Sequence, residues 1–121
     1  NPICYGSNFM TNTHETAEIV LKTDHPAIKM QLDTGSLAIN SENIEQVLQD
    51  FSPLIGHIHL SAPNLLPLNE TSMDHQNISE FLFQYLPAHT VSIEMLTKKI
   101  ESHSSIKQSL QIAKKFYGIV K

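Results

Sequence analysis

Three strand-like runs, each set between stretches of helical spacing, constrain what this chain can fold into. The runs are Ile28 to Asp33, Ile55 to Ser61 and Thr90 to Met95. Asn12, with Glu15 three residues later, reads as the start of a first helix. Its apolar face is Ala17, Val20 and Leu21, and its end is near Lys22. Asp24-His25-Pro26 reads as a turn, because proline disfavours helix for the residue before it. Thr34-Gly35-Ser36 reads as a loop. Ser41 reads as the cap of a second helix carrying Ile44, Val47, Leu48 and Phe51. Ala62 to Ser72, with Pro63 and Pro67, is a long polar loop. Asp74 can cap a third helix with Ile78, Phe81, Leu82 and Tyr85, which stops before Pro87. Thr97 to Ser104 is a loop. Ser105 opens a last helix with Ile106, Leu110, Ala113 and Phe116 inward and Gly118 as C-cap. Strands that alternate with helices of this length form parallel βα units, so the fold class is α/β.

The chemistry gathers at the strand ends. Residues two apart on a strand face the same side, so His57 and His59 project together. Imidazoles on an apolar face are costly without a partner. The other two runs end in Asp33 and Glu94, so each strand end carries a potential metal ligand. In α/β barrels and open sheets, active sites lie at the C-terminal ends of the strands. Two carboxylates and an imidazole suit a divalent ion such as Mn²⁺, Mg²⁺, Co²⁺ or Zn²⁺, and three protein ligands leave positions open. A carboxylate beside such an ion can remove the proton next to a carbonyl and give an enediolate. Each residue also has a plainer reading. Asp33 can be a helix cap, His57 a packed histidine of the layer beneath, and Glu94 half of a buried ion pair. Asp74 reads as an N-cap, and His75 beside it could still face the pocket. No serine or cysteine has a visible base partner, so covalent catalysis is not indicated.

Composition narrows the partners. The chain has 121 residues and a formal net charge of −4, and all eight of its basic residues are lysines. Without arginine it lacks the usual bidentate clamp for phosphates, so a nucleic-acid groove is not expected. No run of about 18 apolar residues occurs, so no membrane span is expected. The lone Cys4 forms no internal disulfide and fits a reducing compartment, which points to the cytoplasm. The chain opens on Asn1-Pro2 without a methionine, so it reads as processed or as part of something longer.

Three motifs carry a resemblance: Lys29-Met30-Gln31-Leu32-Asp33-Thr34-Gly35, Gly56-His57-Ile58-His59 and Val91-Ser92-Ile93-Glu94-Met95. Asn1-Pro2, followed by Tyr5-Gly6 and Phe9, adds a weaker one. Together they resemble the C-terminal half of sugar isomerases and epimerases of the xylose-isomerase-like TIM barrel superfamily, which also holds endonuclease IV. The resemblance implies that residues 1–121 are a single partial domain: the last three strands and helices of a (β/α)₈ barrel, without its N-terminal half. It implies Asp33, His59 and Glu94 as metal ligands, with Glu94 also the acid/base, and a first ligand Glu just upstream of Asn1. The substrate would be a sugar or a small hydroxy-carbonyl compound. The missing half of the barrel, or another copy, would cover the bare edges. This chain alone would be inactive.

Departures limit what carries over. Many relatives have a substrate-contacting His where this chain has Ser36. Epimerases of free ketoses often have an Arg where it has Leu65. Of the Asp-x-His of endonuclease IV, only His75 is matched. Barrels often bind phosphate near the loops after strands seven and eight, which marks Lys98 and Lys99. The alternatives are an endonuclease-IV-like phosphodiester hydrolase and a non-catalytic barrel fragment that binds a small molecule.

Overall fold

The computed structural model describes residues 1–97 and 102–118. Strands β1 (Met30–Asp33), β2 (Ile55–Ser61) and β3 (Val91–Glu94) form one parallel sheet in the order β1-β2-β3. Helix α1 (Thr13–Thr23) precedes β1. Helices α2 (Thr34–Ile39) and α3 (Ile44–Phe51) link β1 to β2, α4 (His75–Tyr85) links β2 to β3, and α5 (Ser102–Tyr117) follows β3. The parallel alternation read from the sequence is therefore present.

Period-two alternation gives the sheet two unlike faces. Met30, Leu32, Ile58 and Leu60 are at most 3% exposed and pack toward the helices. Ala17, Val20, Leu37, Val47, Leu48 and Leu82 meet them from the helical layer. Each large apolar side chain buried this way contributes about 1.5–3 kcal/mol. Residues paired across parallel strands share a face. Gln31 pairs with His57, Asp33 with His59, and Ser61 with Glu94, so the other face is polar.

Several boundaries differ from the sequence reading, for local reasons. β1 starts at Met30 rather than Ile28, and β3 runs Val91–Glu94 rather than Thr90 to Met95. Thr34-Gly35-Ser36 is not a loop. It opens α2 directly, because the Asp33 side chain accepts from the Ser36 N–H at 2.7 Å and caps the helix. Ser41 is not the cap of the next helix. It sits at φ 55 between α2 and α3, and Asn43 caps α3 by accepting from Gln46 N–H at 3.0 Å. The Asn12 and Asp74 caps are as read: they accept from Glu15 N–H at 2.9 Å and Asn77 N–H at 3.0 Å.

Leu21 lies on the outer side of α1, 59% exposed. α5 begins at Ser102; Ala113 and Phe116 pack against the core as expected, but the first half of the helix turns a different face inward. Ile106 and Leu110 are 43% and 46% exposed, whereas Ser105, Ser109 and Tyr117 are buried. The small serines allow close approach, and Ser109 Oγ accepts from the Leu68 N–H at 3.2 Å. The Ala62 to Ser72 stretch is ordered by two 3₁₀ turns, Pro63–Leu65 and Leu68–Glu70. Among the described residues, no helix is long and apolar enough to cross a membrane.

Candidate metal centre

The polar face of the sheet brings the three strand ends together. One donor atom from each of Asp33, His59 and Glu94 can be chosen so that all lie within 4.8 Å of one another. His59 Nδ1 lies 2.8 Å from Glu94 Oε2 and 4.0 Å from Asp33 Oδ2. Asp33 and His59 are half-buried, and the Glu94 side chain is 45% exposed.

Gln31 adds a fourth group, its Nε2 3.0 Å from the same His59 Nδ1. One ring nitrogen cannot serve both neighbours. The Glu94 carboxylate needs Nδ1 to carry a proton, whereas the Gln31 amide needs its lone pair. With the proton on Nε2, the Nδ1 lone pair and two carboxylate oxygens face one small volume. Such a set fits a divalent cation, and one imidazole with two carboxylates is a donor set compatible with Mn²⁺, Co²⁺, Zn²⁺ or Mg²⁺.

Asp33 reconciles its two sequence readings. Oδ1 caps α2, accepting from Ser36 N–H at 2.7 Å and from Ser61 Oγ at 2.7 Å. Oδ2 remains on the His59 side. Cap and cluster member are different oxygens of one carboxylate.

The other candidate residues are more dispersed. His57 is exposed rather than packed in the layer beneath, with its ring edge-on to His59 at 4.8 Å between centroids. Ser36 lies beside Asp33 on a cleft of about 240 Å³, which Asn1, Met10 and Gln31 also line. His75 is the first residue of α4 and packs against α5. It is 7% exposed, its Nδ1 is 2.9 Å from the Tyr117 hydroxyl, and it stacks on Phe116. Burial holds its pKa below the usual histidine range and pushes the Tyr117 hydroxyl far above the usual tyrosine range. Lys98 and Lys99 lie outside the described residues.

Two residues were missed in the sequence, Gln31 and Ser61. Period two was the signal available for both: Gln31 is two before Asp33, and Ser61 is two after His59.

Loops tie the rim together. The Tyr5 hydroxyl accepts from Asn64 N–H at 2.7 Å, and Leu65 C=O accepts from Leu96 N–H at 2.7 Å. Asn64 and Leu65 stand at φ 59 and 55, a left-handed pair that these bonds hold in place.

Comparison with known proteins agrees with this architecture. No protein-family model matches the chain. Over 53 residues it is 36% identical to a Danio rerio protein provisionally named a hydroxypyruvate isomerase, a match covering 44% of this chain and 19% of that protein. It is similar to a crystal structure of D-psicose 3-epimerase in the presence of D-fructose: TM-score 0.74, 18% identity, 89% of this chain and 44% of that one. It is also similar to the apo 3-keto-D-glucoside 4-epimerase from E. coli: TM-score 0.78, 15% identity, 90% of this chain and 41% of that one. The chain thus spans less than half the length of these epimerases. Its α/β architecture is that of part of the fold of these two epimerases, in keeping with the partial barrel expected from the sequence.

Proposed function

We propose that residues 1–121 supply the last three strands and helices of a (β/α)₈ barrel. The intact protein would be a metal-dependent isomerase or epimerase of a sugar or small hydroxy-carbonyl compound, acting in the cytoplasm. The observation that carries this reading is the convergence of Asp33, His59 and Glu94 at the ends of three parallel strands. The solved epimerases of the same fold, and the segment similar to a hydroxypyruvate isomerase, support the reaction class.

Asp33, His59 and Glu94 would hold the divalent ion. When bound, the ion would supply positive charge beside the substrate carbonyl and so acidify the adjoining C–H. Glu94 is the most exposed of the three side chains, and its carboxylate would take the proton from that carbon and leave an enediolate. His57, on the polar face of the sheet, and Ser36, in the first turn of α2 beside Asp33, would contact substrate hydroxyls. His75 was a weaker candidate, and its commitment to Tyr117 favours a structural role. If the substrate is phosphorylated, Lys98 and Lys99 would bind the phosphate. The group that returns a proton on the opposite side of the substrate would come from the remainder of the barrel, contributed by an N-terminal half or by another copy. That remainder would also cover β1 and β3, the two edges of the described sheet. The isolated 121-residue piece is expected to be inactive.

The test uses the intact protein. Purified wild type should carry a divalent metal, and His59→Ala should lose it together with activity. Ketoses or hydroxy-aldehydes turned over in deuterated water should gain deuterium beside the carbonyl. Equal metal content in wild type and His59→Ala, or turnover with no solvent-derived label, would overturn the reading.

A further inference from the structure

Asp33 is held from helix α2 and from strand β2 at once, the first hold by the Ser36 N–H and the second by the Ser61 hydroxyl. Ser61 ends β2 and is 0% exposed. Its hydroxyl accepts from the Gly35 N–H at 2.9 Å. The one hydroxyl proton is therefore free to go to Asp33 Oδ1, 2.7 Å away. The Ser61 backbone is clamped in turn. Thr34 Oγ1 donates to Ser61 C=O at 2.7 Å and accepts from Ser61 N–H at 3.0 Å. Thr34 is 2% exposed, so water does not compete for these bonds.

A carboxylate at a strand end can turn about its own torsions and can offer one oxygen or two. The Ser36 N–H alone would anchor Oδ1 but leave the carboxylate plane free to roll. A second bond to Oδ1 from a different strand removes that freedom. Oδ2 is then left as the oxygen on the His59 side, 4.0 Å from Nδ1.

We propose that Ser61 is a positioning residue: it occupies Asp33 Oδ1 so that Asp33 offers only Oδ2 to the cluster. The proposal rests on the reading of Asp33, His59 and Glu94 as a metal centre. It makes Asp33 a one-oxygen ligand, which leaves more of the ion's positions for substrate.

The test compares two variants of the intact protein. Ser61→Ala removes the bond to Asp33. Thr34→Val removes two buried bonds from the same unit but none to Asp33. Mn²⁺ affinity, measured by calorimetry, should fall about 10–100-fold in Ser61→Ala, the range for loss of a group that orients a ligand, and within about threefold in Thr34→Val. In crystals of metal-free protein, the Asp33 carboxylate should hold one χ2 rotamer in wild type and Thr34→Val, and roll into a second in Ser61→Ala. Ser61→Cys keeps the volume with a weaker donor and should fall between; it serves if Ser61→Ala does not fold. An unchanged affinity with a single rotamer in the Ser61 variant would overturn the proposal, as would an equal loss in Thr34→Val. A wild type that binds no Mn²⁺ would overturn the metal reading itself, and the proposal with it. The rotamer measurement, made without metal, tells the two failures apart.

Discussion

Gly35→Ala separates local propensity from tertiary packing, because the two predict opposite signs. Gly35 lies in the first turn of α2, with a helical backbone. Propensity alone says that alanine there should stabilise the protein by about 1 kcal/mol. The structure says otherwise. A Cβ at this position would fall 2.7 Å from the Ala62 carbonyl carbon, 2.7 Å from its oxygen and 2.7 Å from Ser61 Oγ. Ordinary contact begins near 3.4 Å, and Ala62 is 0% exposed, so buried backbone must move by several tenths of an ångström. Overpacking of this kind costs about 1–3 kcal/mol. The same movement stretches the Gly35–Ser61 hydrogen bond, at about 1 kcal/mol more. After the gain in propensity, the intact protein should lose about 1–3 kcal/mol. Urea unfolding followed by circular dichroism should show a lower midpoint with an unchanged slope. Mn²⁺ affinity should fall as well, because Ser61 and Asp33 move with the helix start. A midpoint equal to or above that of wild type would refute the packing argument.

Three further outcomes are expected. Tyr117→Phe should cost about 1–3 kcal/mol in denaturant unfolding, because it leaves the buried His75 Nδ1 without its partner; an unchanged midpoint would show that the pair contributes nothing. Because burial lowers the folded pKa of His75, its contribution is complete above the unfolded value near 6.5 and shrinks as pH falls below it; a His75→Gln variant should lose less stability than wild type as pH falls below about 6.5. Asn43→Ala should cost about 1 kcal/mol as a lost cap, whereas Ser41→Gly, at φ 55, should be neutral or stabilising; the reverse order would restore Ser41 as the cap.

Much of the candidate site was legible in the sequence because strand periodicity is short and rigid. Once Ile55 to Ser61 is a strand, His57 and His59 share a face, and Asp33 and Glu94 end the neighbouring runs. What misled was punctuation. Thr34-Gly35-Ser36 looks like a breaker cluster, but an aspartate that caps with one oxygen lets the strand pass straight into a helix. Likewise Ile106 and Leu110 carry the apolar signal of α5, whereas packing chose the small face of Ser105 and Ser109 because it lets the helix approach Leu68.

By itself, then, the sequence determined the alternation of strands and helices, the side of the sheet each ligand-type residue would face, and the end at which they would gather. Those follow from repeats of two and of 3.6 residues along the chain. Only the tertiary structure decided which oxygen of Asp33 is free, that Gln31 and Glu94 compete for one nitrogen of His59, and that Ser61 on one strand orients the carboxylate of another. Each depends on register between strands, a relation among residues distant in the chain that no local period encodes.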